Sequence, residues 1–240
     1  MAKITKRLKR LVKLRNERLR VHKEGRVILI SLFALLVGIN MIFYFIGNKF
    51  GIGFIVNLFI SVAAFCFFMY FFRSPLRLLQ INDDGLVVAP ADGRIVAIEP
   101  VEVQEYFNGK KMMQISIFMS VFSVHANWYP LNGTIKYVRH NLGRYVAAYL
   151  QKSSHENEHT TTVIETKTGH EIIVRQIAGA LARRIVTYAS PCHEAEINHH
   201  LGFIKFGSRV DVFLPMESEI FVQLNEHTTG NETIIARIPD

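Results

Sequence analysis

The sequence predicts an α+β fold, mainly β, in which a compact β-rich domain follows an N-terminal transmembrane helical hairpin. Two observations carry this. Residues 27–47 and 52–72 are apolar runs without a single charge, each long enough as a helix to span a bilayer core of about 30 Å. From Arg73 onward the chain changes to short β-branched and aromatic runs, at 86–88, 94–98, 113–117, 161–164, 172–174, 185–188, 210–213 and 220–222, punctuated by Gly, Pro, Asn and Asp.

The first element, residues 1–26, is a basic segment. It holds eleven Lys/Arg against Glu17 and Glu24, a balance of +9 in a chain whose total is +8, so the rest sums to −1. A nucleic-acid partner would call for basic surface on the folded domain, and none is expected. Ile4, Leu8, Leu11, Val12 and Leu19 recur at helical spacing among the cations, which fits an amphipathic helix on an anionic membrane surface. The charges alone also serve as a topology signal. The second element, residues 27–72, is the hairpin. Four residues join its spans, so both ends lie on one side, and the cations before the first span with Arg73 and Arg77 after the second place that side in the cytoplasm. The expected location is the inner or cell membrane. Two cysteines, Cys66 and Cys192, exclude a disulfide framework and a four-cysteine zinc site.

The third element, residues 73–240, is long enough for one domain with its own core. A helix is expected over 141–152 and a short turn within 177–184. Four segments carry chemistry. Ala89-Pro90-Ala91-Asp92-Gly93 reads locally as a turn. Val124-His125-Ala126-Asn127-Trp128-Tyr129-Pro130 puts a histidine at a strand end. His155-Glu156-Asn157-Glu158-His159 matches the H-E-x-x-H zinc signature in letters, but that signature needs a helix to bring both imidazoles to one face. Here Ser153-Ser154 precede it and a β-branched run follows. Phe206-Gly207-Ser208-Arg209 lies between two strands, and a Gly-Ser bond in a strained turn is open to attack by its own hydroxyl.

In order, Pro-Ala-Asp-Gly, Val-His-x-Asn-x-x-Pro, Asn-Glu-x-Thr-Thr and Phe-Gly-Ser-Arg-Val-Asp resemble the phosphatidylserine decarboxylase proenzyme family in its short bacterial form. Phe71-Phe72-Arg73-Ser74-Pro75 resembles that family's junction between anchor and domain. The resemblance covers about residues 71–215. It implies that Ser208 attacks the Gly207 carbonyl and that an ester forms and eliminates. The chain then separates between 207 and 208, leaving a pyruvoyl group derived from Ser208 as the covalent cofactor, with no metal. The products, 1–207 and 208–240, stay associated, and a homo-oligomer is left open. The substrate is an anionic phospholipid at the membrane. Its amine condenses with the pyruvoyl ketone, which takes up the electrons left by departing carbon dioxide.

Asp92 and His125 are the expected base system for Ser208. The resemblance breaks at one place. Long-form members carry a second histidine where Trp128 stands, so that role passes to His125, or to His155, His159 or His193. Substrate contacts are expected from Asn157 and Glu158, and from Lys152, Arg183 and Arg184 as fixed cations for the phosphate. Two rival readings are a membrane-anchored zinc peptidase built on His155, Glu156 and His159, and a non-catalytic membrane-tethered β-domain in which Gly207-Ser208 is a plain turn.

Overall fold

The computed structural model describes residues 12–46, 51–81, 83–143, 157–179, 184–205 and 207–239. The chain divides into two compact units, residues 18–75 and residues 76–240 with 1–17.

In the first unit, α1 (Lys23–Ile46) takes in the first charge-free run and the charged Lys23, Glu24 and Arg26 ahead of it, and α2 (Ile52–Phe71) coincides with the second run. At 1.5 Å per residue they are about 36 and 30 Å long, and both are long and apolar enough to cross a membrane. Inside these apolar helices three polar side chains satisfy one another. Asn40 Nδ2 donates to Ser61 Oγ at 2.9 Å, and Asn57 Nδ2 donates to Asn40 Oδ1 at 3.0 Å. Such bonds fix the register of two helices where lipid offers no alternative partner. The His22 N–H donates to the Phe72 carbonyl at 2.8 Å. A Cβ on Gly25 would lie 2.4 Å from the Phe72 ring, so only glycine allows this approach.

The helical spacing of residues 3–20 is not what forms. Val12–Val21 is a strand, β1, and it makes a two-stranded sheet with β2 (Arg73–Ile81). Extended backbone there gains inter-strand hydrogen bonds that a lone surface helix does not need. Residues 1–11 lie outside the described residues.

The second unit is built of short strands. They are β3 (Leu86–Val88), β4 (Gly93–Val103), β5 (Lys110–Met119), β6 (Ala126–Trp128), β7 (Gly133–Asn141), β8 (His159–Glu165) and β9 (Glu171–Ala178). After them come β10 (Arg184–Thr187), β11 (Glu194–Ala195), β12 (His200–Lys205), β13 (Ser208–Leu214), β14 (Glu219–Ile220), β15 (His227–Thr228) and β16 (Ile234–Arg237). An eight-stranded antiparallel sheet runs β11-β7-β8-β9-β13-β5-β4-β15, beside two three-stranded sheets, β10-β12-β6 and β14-β16-β3. Alternate side chains of the large sheet, such as Ile115, Ile117, Val174, Val210 and Val212, form one buried core with Ile185, Leu201, Ile204, Val87 and Ile235 of the small sheets. That alternation is the period-2 pattern of the sequence made solid.

The expected strands all lie on or overlap these elements. The expected helix over 141–152 is not seen at its start, where Asn141 ends β7, and 144–156 lie outside the described residues. Of the expected turn, Ile177 and Ala178 close β9, while 180–183 lie outside the described residues.

Candidate active site

Gly207 has φ +56°, the left-handed region that glycine enters without steric cost. This turn delivers the chain into β13, whose first residue is Ser208. Ser208 is fully buried, and its hydroxyl donates to the Met119 sulfur at 3.2 Å. The same sulfur accepts from Asn127 Nδ2 at 3.6 Å, and Asn127 Oδ1 accepts from Gln176 Nε2 at 2.8 Å. The Gly207 carbonyl accepts the Gly179 N–H at 3.0 Å. A buried hydroxyl therefore adjoins a peptide whose carbonyl is already polarised by a backbone donor.

His125 is fully buried just ahead of β6. Its Nδ1 lies 3.0 Å from the Ser123 carbonyl. A carbonyl can only accept, so Nδ1 carries the proton and Nε2 is the basic nitrogen. The His125 carbonyl accepts the Ile204 N–H at 3.2 Å, and Ala126 faces Phe203 across the β6–β12 ladder. His125 thus runs beside the segment that leads into Ser208.

Asp92 lies at the same end of the large sheet as Ser208. Strand β4 begins at Gly93, β5 separates it from β13, and Met119 faces Ser208. Two strand spacings put the two Cα positions about 10 Å apart. The Asp92 carboxylate turns to other partners than His125. It forms a two-pronged pair with Arg77, one prong through Nη1 and the other from Nη2 at 2.9 Å, and it accepts the Gly230 N–H at 2.8 Å. Arg77 in turn lies 5.1 Å from the ring centre of Trp128. The tryptophan in the second-histidine slot packs over this ion pair.

Among the alternative histidines, His193 is exposed beside β11, at the far end of the sheet. Seven residues of β9 separate that end from the Ser208 row, or about 23 Å. His159 opens β8 opposite Ile177, which faces Arg209. Neighbouring strand residues point to opposite faces, so His159 and Ser208 project to different sides of the sheet. The helix that a zinc signature requires is absent at His159. Its Nδ1 donates to the Asn157 carbonyl at 2.7 Å, and its Nε2 lies 3.1 Å from Asn141 Nδ2 and 3.7 Å from Glu105 Oε2. His155, Glu156, Lys152 and Arg183 lie outside the described residues. Arg184 is exposed at the start of β10. Asn157 and Glu158 are buried, and Asn157 Nδ2 donates to the Ala178 carbonyl at 2.8 Å, which ties this segment to the end of β9.

The opposite face of the sheet holds a second polar layer. Arg209, 1 % exposed, donates from Nε to Asp211 Oδ1 at 2.6 Å and from Nη2 to Ser116 Oγ at 2.6 Å. Beyond it a cavity of about 410 Å³ is lined by Glu105, Arg139, Asn141, His159 and Arg175, among others. Burial pushes the Glu105 carboxyl up. Hydrogen bonds from His159, Thr161 and Asn141, with the Arg175 guanidinium, outweigh it and bring the carboxyl down to about 2.

Sequence reasoning missed Met119, Gln176 and His140. A methionine in an apolar run gives no sign that its sulfur will accept a serine hydroxyl, and the other two are placed by register alone. Gly179 did leave a trace, in the small-residue stretch Ala178-Gly179-Ala180.

Comparison with known proteins shows the family. The profile of the family described as phosphatidylserine decarboxylase matches residues 65–236. A phosphatidylserine decarboxylase proenzyme of Parabacteroides distasonis is 51% identical over 220 residues, 92% of this chain and 99% of that protein. Proteins of the same name from Bacteroides thetaiotaomicron and Porphyromonas gingivalis are 51% and 48% identical, over 97% and 92% of this chain and 99% and 100% of their own lengths. The chain therefore belongs to the phosphatidylserine decarboxylase family.

Proposed function

We propose that this chain converts phosphatidylserine to phosphatidylethanolamine with a pyruvoyl group that it makes from Ser208 by cutting itself between Gly207 and Ser208. One observation carries the reading: the buried Ser208 hydroxyl follows a left-handed glycine whose carbonyl is held by the Gly179 N–H. The hydroxyl attacks that carbonyl, the Gly179 N–H supports the charge that develops on its oxygen, and the acyl group moves from nitrogen to oxygen. The ester then loses its Cα proton and eliminates, freeing the carboxylate of 1–207 and leaving dehydroalanine at 208, whose imine tautomer adds one water and releases ammonia to give the ketone. His125 takes the serine proton through Nε2, and Asp92 with Arg77 holds the adjoining sheet end. The residues around position 208 fit a small planar group: the neighbour on β9 is Ala178, which presents only a methyl, and Ser208 and Ala178 are both fully buried. When formed, the group supplies a ketone that accepts the substrate amine and draws off the electrons left by carbon dioxide.

The anchor suits a lipid substrate. Nine cations ahead of α1, Lys23 and Arg26 in its first turn, and Arg73 after α2 favour a cytoplasmic placement of the domain and attract anionic lipid. Phosphate contacts fall to Lys152, Arg183 or Arg184. Denaturing electrophoresis tests the whole reading. The purified wild-type protein is expected as two pieces split at 207, and Ser208→Ala as one inactive chain of 27.5 kDa. His125→Ala slows the cut by about 10²–10⁴-fold. A wild-type chain that stays whole while producing phosphatidylethanolamine would refute the mechanism.

A further inference from the structure

On the Ser208 face of the large sheet one row crosses three strands. Ser208 faces Ala178 on β9, and the Ala178 N–H donates to the Glu158 carbonyl at 2.9 Å. Thr160, two residues past Glu158, faces Gln176, which faces Val210. Period-2 alternation therefore puts the Glu158 side chain on the same face as Val210 and Ser208. Glu158 and Ser208 stand about 10 Å apart between Cα positions, with only the Ala178 methyl contributed by the strand between them.

Glu158 is 5 % exposed. A carboxylate so deeply buried is expensive unless a cation or strong donors meet it. From β7, His140 approaches it, with Nε2 3.5 Å from Glu158 Oε1 and Nδ1 2.9 Å from Thr160 Oγ1. The His140 ring is 42 % exposed, so it orients the carboxylate from the solvent side.

The headgroup of the proposed substrate has three charged groups, two anionic (phosphate and carboxylate) and one cationic (the ammonium). A buried anion two strand spacings from position 208 sorts them by sign. Resting on the proposed role of Ser208, we infer that Glu158, positioned by His140, receives the ammonium group of the aminophospholipid and so turns its nitrogen toward residue 208. Charge-assisted hydrogen bonds of this kind typically change affinity by about 10–100-fold.

The inference can be tested without a mature site. Uncleaved Ser208→Ala full-length protein in detergent is titrated calorimetrically with short-chain phosphatidylserine, short-chain phosphatidylethanolamine and N-acetylated short-chain phosphatidylserine. The two amine lipids are expected to bind at least about tenfold more tightly than the N-acetyl lipid. Adding Glu158→Gln should weaken both amine lipids by about that factor and leave the N-acetyl lipid unchanged. Unaltered discrimination in Glu158→Gln overturns the proposal. If that variant does not fold, His140→Ala decides, since its half-exposed ring can be removed without opening the core. Reduced discrimination supports the assignment and full discrimination overturns it. Failure of the Ser208 reading shows separately, as a wild-type chain that does not split at 207.

Discussion

The Gly179 N–H lies 3.0 Å from the Gly207 carbonyl oxygen, and replacing Gly179 by proline removes that donor and nothing else from the backbone. Ala178 ahead of it is already extended, as a residue before proline prefers. The Ala178 bond to the Glu158 carbonyl does not involve the Gly179 nitrogen. In the proposed cut, attack by the buried Ser208 hydroxyl would place negative charge on the carbonyl oxygen. Loss of one preorganised donor to such an oxygen typically slows reaction by about 10²–10³-fold, or about 2.7–4 kcal/mol. Gly179→Ala keeps the N–H and changes only the side chain, so it controls for crowding. Protein is made in a short pulse, and loss of the 27.5 kDa chain is followed on denaturing gels, with thermal melting to show that each variant folds. Gly179→Pro should mature about 100-fold more slowly than Gly179→Ala. Equal half-times in folded variants would show that this bond is structural only.

Two further outcomes concern the opposite face of the sheet. Arg209→Met leaves Asp211 buried without its cation, a loss of about 3–5 kcal/mol that should lower the melting temperature by about 10 °C. Adding Asp211→Leu should recover most of it, and calorimetry of the single and double variants decides. Glu105 is held at about 2 against an unfolded value of 4.5. A depressed carboxyl contributes stability that is fully present above 4.5 and is lost as pH falls from there toward 2. Allowing for solvent screening, about 2 kcal/mol is at stake. Denaturant melts of Glu105→Gln should be flatter than wild type across that acid range, and parallel curves would refute the assignment.

The parts of this structure that follow local rules were legible in the sequence. Charge-free runs at 27–47 and 52–72 became α1 and α2, because a helix able to cross a bilayer needs little more than length and the absence of charge. Runs such as 113–117 and 210–213 became strands because β-branched residues alternate there between a buried core and a second face. The candidate site residues Ser208 and His125 were visible as motif letters, but their geometry was not. Whether Ser208 or Arg209 turns toward the main core depends on register, and a shift of one residue would exchange them. The Asp92 partner Arg77 sits in β2, just past α2, and nothing in Pro-Ala-Asp-Gly points to it. The segment 12–21 misled because its apolar residues fit helical spacing, while what formed was decided by pairing with a strand more than fifty residues away.

The topology suits the proposed cut. Strand β13 is an inner strand, bonded to β5 along Ser208–Leu214 and to β9 along Ser208–Phe213. A break before its first residue removes one peptide link and leaves both ladders in place. On the face away from Ser208, the Arg209 contacts to Asp211 and Ser116 tie the second residue of the new fragment to its own strand and to β5. On the near face, Met119 and Ala178 flank position 208 in its row. A cut at an edge strand such as β15, which pairs with β4 through two residues, would free an end able to fray into solvent. A chain severed as proposed, and using the new end for chemistry, would need that end held from both sides and both faces. The Gly207–Ser208 bond is placed where the large sheet provides both.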